Sequence, residues 1–498
     1  MLIQQSTTYV KIVPTPTGTV GELIDKRFSF PHPGAYWVKK KHARTHPVKV
    51  RGCWKCAWDG RIHLYKRGVL PAGFMSDLVE LLSDNNISHE LIDNRTVPVK
   101  QYEWSTSFQL RPYQQDIVDA IISEKQGIVE AACGAGKTVM AIEAIAQVGV
   151  PTVIIVPTKI ILSQFEASIR EHSDIPLGII QGKTWEETPL VVATMGALTH
   201  KSKRARAKEF LATRDFIVVD EYQKSAAETW FKTINNCPAY WRIGQTATPF
   251  RETELEDQYL YANTGPIIAS VKTDKLQDDG YLAQSDIRFI KCKLHQPTSV
   301  YGEYTDDDGI EQVGFHKPHW TDLYRECIVL NDERNKMVAD IANHYVERNQ
   351  KVMIIVSWTE QFEQIEQYLK SDPIFLSGKD SKKLSKKKTD AFEQQSSGII
   401  LGSPVIDLGY NIPSISVVLN SASGESGGRT QQRMGRGLRI DFDKRSVLVY
   451  DFLDDDRGAR KHHFWNHAQA RMKTFDELGQ TVKIYDTVEE ALENHTNE

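Results

Sequence analysis

Cysteine is scarce: six occur in 498 residues, too few for a disulfide framework, so a reducing compartment is expected. No apolar run approaches the roughly 18 residues that a membrane-spanning helix needs. The first residues show no basic-then-apolar signal pattern. These absences point to a soluble, cytoplasmic protein with no membrane partner. A second CxxC is also missing, so Cys53-x-x-Cys56, with His42 and His46 before it, stands without a zinc assignment although the spacing is zinc-like in reversed order. Net charge is small, at -4, but it is unevenly spread. Residues 1–100 hold 15 Lys and Arg against 8 Asp and Glu, and a basic front suits a polyanionic partner.

With 40% hydrophobic residues the chain has ample core for roughly three domains. Its centre is AACGAGKT, Ala131, Ala132, Cys133, Gly134, Ala135, Gly136, Lys137 and Thr138. This reads as a phosphate loop with alanine at the usual leading glycine. Small residues let backbone N–H groups turn inward around a phosphate, the lysine reaches the β- and γ-oxygens, and the threonine hydroxyl takes a place on Mg²⁺. A short apolar stretch precedes the loop and a helical pattern, VMAIEAIAQV, follows it. The free N–H groups and dipole of that helix start favour a polyanion. ATP with Mg²⁺ is the cofactor pair expected.

Residues 1–97 show short alternating segments broken by Pro and Gly, then a helical segment near residue 75, so a small basic α+β domain is expected. Trp58 and Arg61 lie in its densest basic and aromatic part, a composition suited to nucleic acid. The plainer reading makes the tryptophans of this stretch core. Residues 98–280 alternate strand-like TVIIVPT, LVVAT and FIVVDEYQ with helical patterns, which implies a parallel sheet. Ligands bind such sheets at the carboxyl ends of their strands. Asp220 and Glu221 end one of them, so Asp220 is expected beside Mg²⁺ and Glu221 beside the attacking water.

A polar stretch near residue 280 leads to a second alternation, residues 281–498, which has no phosphate loop of its own. Residues 295–320 interrupt it with acids, turn formers and aromatics, including Tyr301, Tyr304, Phe315 and Trp320, candidates for a strand-separating wedge. In TQQRMGRGLR, Gln432, Arg436 and Arg439 fall on one face if the segment is helical. Arginines there suit the charge that develops on a triphosphate held by the first domain. The fold class expected is therefore α/β, two RecA-like parallel-sheet domains in tandem behind a small α+β domain.

These motifs in this order resemble the superfamily 2 helicases and translocases, over roughly Gln109 to Phe452. LRPYQ resembles the adenine-recognising segment with Gln114, and VPTKIILSQF and ATMGAL resemble the strand-contacting motifs Ia and Ic, with Thr158, Lys159 and Thr194. TATPFR is similar to motif III, VSWTEQ with Ser357 and Trp358 to motif IV, SPVIDLGYNIP with Gly409 to motif V and QRMGRGLR to motif VI. The resemblance gives Lys137 and Thr138 to the triphosphate and Mg²⁺, Asp220 to Mg²⁺, Glu221 to water, and Arg436 and Arg439 to the finger role. Gln114, Gln432 and Gly409 join residues 131–138 around the nucleotide. Gln223 departs from the commoner DExH form of motif II, and Ser403 stands where threonine is frequent in motif V.

The front domain narrows the resemblance. WDGRIHLYKRGVLPAGFMSDLVELL is similar to the N-terminal domain of the UvsW-type phage branch-migration helicases. What this implies is an ATP-dependent DNA helicase acting on forks, four-way junctions and R-loops in replication, recombination and repair, and a bacteriophage origin with residence in the bacterial host cytoplasm. An RNA helicase and the motor subunit of a restriction complex are the alternatives. The TATPFR form and the front domain favour DNA, and no nuclease-like PD…ExK constellation is evident.

Overall fold

Strands that are buried on both faces read as continuous apolar runs, and Thr152–Val156, Leu190–Thr194 and Phe216–Asp220 are buried along their whole length. The structure, a computed structural model, describes all residues except 33, 36–37, 39–46, 51–52, 57, 248–253, 306–310, 378–379, 403–411, 413, 425–445, 460 and 494–498. It forms two compact units, Met1–Val271 and Lys272–Glu498.

The first unit begins with a four-stranded sheet in the order Val69–Pro71, Tyr9–Val13, Leu2–Gln5, Glu90–Asp93. The helices Gly18–Arg27 and Met75–Asp84 accompany it. Ile3, Val10, Ile24, Phe28, Phe74 and Leu78 form its core, and Ala262 of the following domain joins that core. The approach is close: a Cβ on Gly73 would strike the carbonyl of Tyr261. Only glycine fits there, so the small domain is seated directly on the larger one.

That larger domain is built on eight strands: β1 (Gln126–Ala131), β2 (Thr152–Val156), β3 (Leu177–Gln181), β4 (Thr184–Trp185), β5 (Leu190–Thr194), β6 (Phe216–Asp220), β7 (Trp241–Thr246) and β8 (Ile267–Val271). Their order is β4-β3-β5-β2-β6-β7-β1-β8. All neighbours are parallel except the β3–β4 pair. Parallel strands place their carboxyl ends on one edge. In order along that edge stand the ends of β3, β5, β2, β6, β7 and β1.

The second unit carries seven parallel strands: β9 (Gln284–Lys293), β10 (Lys351–Ile355), β11 (Ile374–Leu376), β12 (Gly398–Gly402), β13 (Val417–Asn420), β14 (Ser446–Asp455) and β15 (Val482–Tyr485), ordered β11-β12-β10-β13-β14-β9-β15. The two sheets make the fold α/β, with two RecA-like domains in tandem. Ten-residue β9 pairs with β14 along its whole length, although its sequence QSDIRFIKCK shows no continuous apolar run. Two fully buried ion pairs fix helices onto β14: Arg334 Nε to Asp454 at 2.8 Å and the Arg471 guanidinium to Asp451 at 2.9 Å. Asp451 also accepts from Asn420 Nδ2 at 2.6 Å.

The stretch 295–320 contains a β-hairpin, Val300–Thr305 against Glu311–His316, with Tyr301 opposite Phe315. These rings lie 5.3 Å apart and are 68% and 74% exposed. Trp320, the last of the wedge candidates, is 40% exposed. It opens the helix Trp320–Tyr324 and stacks on Phe464 at 5.2 Å, because its ring finds an apolar partner in the second unit.

Candidate nucleotide and nucleic-acid site

The loop Ala131–Gly136 leaves β1 and enters the helix Lys137–Val148. Gly134 and Gly136 have φ of 88° and 86°, left-handed conformations that glycine adopts without a Cβ penalty. Lys137 Nζ donates to the carbonyls of Ala131 and Ala132 at 2.9 and 3.1 Å. Those bonds fold the ammonium back over its own loop. The loop is also braced from outside: Tyr113 Oη and Gln114 Nε2 both donate to the Ala135 carbonyl at 2.9 Å. Gln114 Oε1 in turn accepts from the Arg111 N–H at 3.0 Å, which caps the helix Pro112–Glu124. The buried amide of Gln114 thus ties a helix start to the phosphate loop, and a Cβ on Gly136 would run into it.

One strand separates the loop from the carboxylates. In register, Asp220 on β6 lies level with Gln245 on β7, which lies level with Val129 on β1. Neighbouring strands are about 4.8 Å apart, so Asp220 and the phosphate loop occupy one corner of the edge. Burial, reinforced by Glu221 and opposed by Lys137, pushes the Asp220 carboxyl up to about 7. A carboxylate so short of solvent is suited to a cation. Thr138, whose hydroxyl could complete such a site, stands at the start of the helix Lys137–Val148, so the residues present fit a triphosphate with Mg²⁺.

Beside Asp220 the chain turns into motif III through Glu221 and Gln223. Glu221 turns in the left-handed region at φ 50°, and Gln223 Nε2 donates to its Oε2 at 2.5 Å. Gln223 Oε1 accepts from Thr246 Oγ1 at 2.8 Å. The glutamine that departs from the commoner motif II therefore bridges the carboxylate and motif III. Gln245, not singled out by sequence, donates to the Lys137 carbonyl at 3.2 Å. Its buried Oε1 has no partner among the described residues. The signal available for Gln245 was its place directly before the TATPFR segment, near the end of a strand whose sequence, WRIGQT, is itself largely polar.

Residues 107–251 match the family model described as the res subunit of type III restriction enzymes, and residues 333–441 match the helicase conserved C-terminal domain. The chain belongs to the superfamily 2 helicases. A relative from Kineococcus radiotolerans, "DNA 3'-5' helicase XPB", is 25% identical over 71% of this chain and 62% of its own length. This chain thus spans less than two thirds of that relative. The solved structure of the ATP-dependent type ISP restriction-modification enzyme LlaBIII bound to DNA superposes with a TM-score of 0.55 at 13% identity, covering 83% of this chain and 34% of that one. That similarity concerns the fold. The crystal structure of T4 UvsW covers 98% of this chain and 100% of that one at 18% identity, with a TM-score of 0.41.

The remaining motif residues fall as follows. Thr158 and Thr194 stand just beyond β2 and at the end of β5, on the same edge as Asp220. Thr158 Oγ1 also accepts from the Ile161 N–H at 3.3 Å, and Lys159 opens that helix. Ser357 and Trp358 follow β10, and Trp358 packs against the second core, 5.6 Å from the Tyr324 ring. In the front domain Trp58 Nε1 donates to the Arg61 carbonyl at 2.8 Å, and Arg61 Nε to Ser29 Oγ at 3.0 Å. Trp58 thus closes the turn, while the Arg61 side chain reaches to the neighbouring strand Ser29–Pro31. Ser403, Gly409, Gln432, Arg436, Arg439, His42 and His46 lie outside the described residues, as do the side chains of Cys53 and Cys56.

Proposed function

We propose that this chain is an ATP-dependent DNA helicase or translocase that remodels forks and four-way junctions by branch migration, in replication, recombination and repair. The observation that carries the motor reading is the link Glu221–Gln223–Thr246 beside the phosphate loop. It connects the carboxylate that would orient the attacking water to a segment that leaves the sheet. Lys137 and Thr138 would hold the triphosphate and Mg²⁺ together with Asp220, and bound Mg²⁺ supplies neutralisation of phosphate charge. Gln432, Gly409, Arg436 and Arg439 would complete the nucleotide site from the second domain. DNA as substrate is supported by the printed name of the Kineococcus relative. Junction remodelling is supported by the basic front domain and its WDGR segment.

The test is unwinding of a labelled four-way junction and a labelled fork with ATP and Mg²⁺. Products from both, absent with a non-hydrolysable analogue, support the reading. Turnover stimulated by RNA alone contradicts it.

A further inference from the structure

The carboxyl edge of the first sheet divides into two parts. One end, β6-β7-β1, carries the nucleotide corner. The middle, β2 and β5, carries Thr158 and Thr194. Beyond them stands β3, level with β5 such that Ile180 lies opposite Ala193. The turn from β3 into β4 therefore emerges on the same edge, one strand further out than Thr194. That turn carries Lys183, and the chain after the helix Met195–Thr199 returns to it as the basic run KSKRARAK, residues 201–208.

The side chains fix the relationship. Lys203 Nζ donates to the Gly182 carbonyl, so the start of the helix Arg204–Leu211 is tied to the β3–β4 turn. Trp185 anchors the cluster from beneath, 6.1 Å from Phe210 of the core, with Arg206 at 4.6 Å and Lys203 at 5.5 Å over its ring. Glu187 is engaged by Arg206 at 3.2 Å and by Trp185 Nε1 at 2.5 Å. Lys183, Lys201 and Arg204 are exposed and form no ion pair among the described residues. Glu186 and Glu209 are the other exposed acids nearby in sequence. Lys183, Lys201 and Arg204 thus lie beside one tied lysine where the row of strand ends runs out, with Lys208, also exposed, one turn further along the helix.

We propose that Lys183, Lys201, Lys203 and Arg204 form a phosphate-binding extension of the nucleic-acid track on the first domain. A DNA backbone passing Thr158 and Thr194 continues across the β3–β4 turn and is held there through its phosphates. The proposal rests on the DNA-motor reading above. It adds a grip at the sheet's edge strand, outside the helicase motifs. Each phosphate neutralised by a cation releases counterions and steepens the salt dependence of duplex binding by about 0.9 in log–log slope.

The test compares the full chain, its K183A/K201A/R204A variant, and a K100A/R170A/K232A control that removes equal charge from exposed positions elsewhere on the same unit. Binding of a fluorescent duplex with a single-stranded tail is titrated across salt concentrations, with thermal melting of each protein as the folding check. The proposal expects a slope shallower by about 2 to 3 and affinity reduced at least about tenfold in the edge variant alone. Lys203→Ala, in a separate protein, should lower affinity as well. An edge variant with wild-type slope overturns the proposal, and so does a control variant that loses as much; a patch made for an acidic polypeptide gives the first of these results. A wild-type chain that binds no DNA at any salt removes the motor reading itself, which is a different result from an unchanged slope.

Discussion

Thr246 donates a 2.8 Å hydrogen bond to Gln223, and Gln223 donates in turn to Glu221 at 2.5 Å. The bond joins the carboxylate beside the nucleotide corner to the strand end where TATPFR begins. On the proposed function, a relay of this kind would transmit the state of the nucleotide without touching it. Thr246→Val keeps the shape and removes the donor, at a net cost of about 1 kcal/mol in stability. ATP turnover should stay within a few fold of the parent while base pairs opened per ATP fall. Parallel loss of both would show that the bond serves the chemistry alone.

Lys137→Ala and Glu221→Gln should each lower ATP turnover by about a hundredfold or more, because each removes a group expected on the triphosphate or its water. DNA binding should remain measurable in both. Fluorescence anisotropy with a tailed duplex and a phosphate-release assay check the two halves. Unwinding near the parent rate in either variant contradicts the assignment.

Arg439→Ala should reduce kcat by roughly a thousandfold with little change in KM, since a finger acts on charge present only in the transition state. A change confined to KM would place this arginine on ground-state nucleotide instead.

How much could be read from the chain before folding depended on how local each feature is. The strand, loop and helix around Lys137 are contiguous, so AACGAGKT with its flanks was legible as it stands. So was β6, whose five apolar or terminal positions lie in one run. By contrast β9 hid itself: its charges Asp286, Arg288 and Lys291 mask a strand, and Arg288 is fully buried only because Asp286 and distant partners such as Ala491 receive it. The Gln223–Thr246 bond was invisible for a similar reason, as it joins the helical turn after β6 to the end of β7 across 23 residues of sequence. The stacking of Trp320 on Phe464 was not legible because the two lie far apart along the chain.

The hairpin at residues 300–316 presents Tyr301 and Phe315 on one face with Glu303, Val313 and Glu311. Its acids disfavour contact with a phosphate backbone, so any contact there is with bases. Tyr301→Ser combined with Phe315→Ser should leave DNA-stimulated ATP turnover intact and slow fork unwinding, measured by strand release. Unchanged unwinding would assign strand separation elsewhere, with the basic front domain as the next candidate.

Arg334→Leu strands Asp454 as a buried charge on β14. Removing one partner of such a pair costs about 3–5 kcal/mol. Urea denaturation followed by tryptophan fluorescence should show an earlier midpoint for the variant, and a midpoint equal to the parent's would mean that Asp454 relaxes to solvent or takes up a proton at little cost.

On the proposed function, hydrolysis at the Lys137–Asp220 corner is driven by DNA. Steady-state ATP turnover in the presence of no nucleic acid, single strand, duplex, fork, four-way junction or RNA tests it in one assay. Low turnover alone, strong stimulation by DNA that is greatest with forks and four-way junctions, and little with RNA are expected; turnover indifferent to DNA, or raised by RNA above all DNA forms, would rule out a DNA-driven motor.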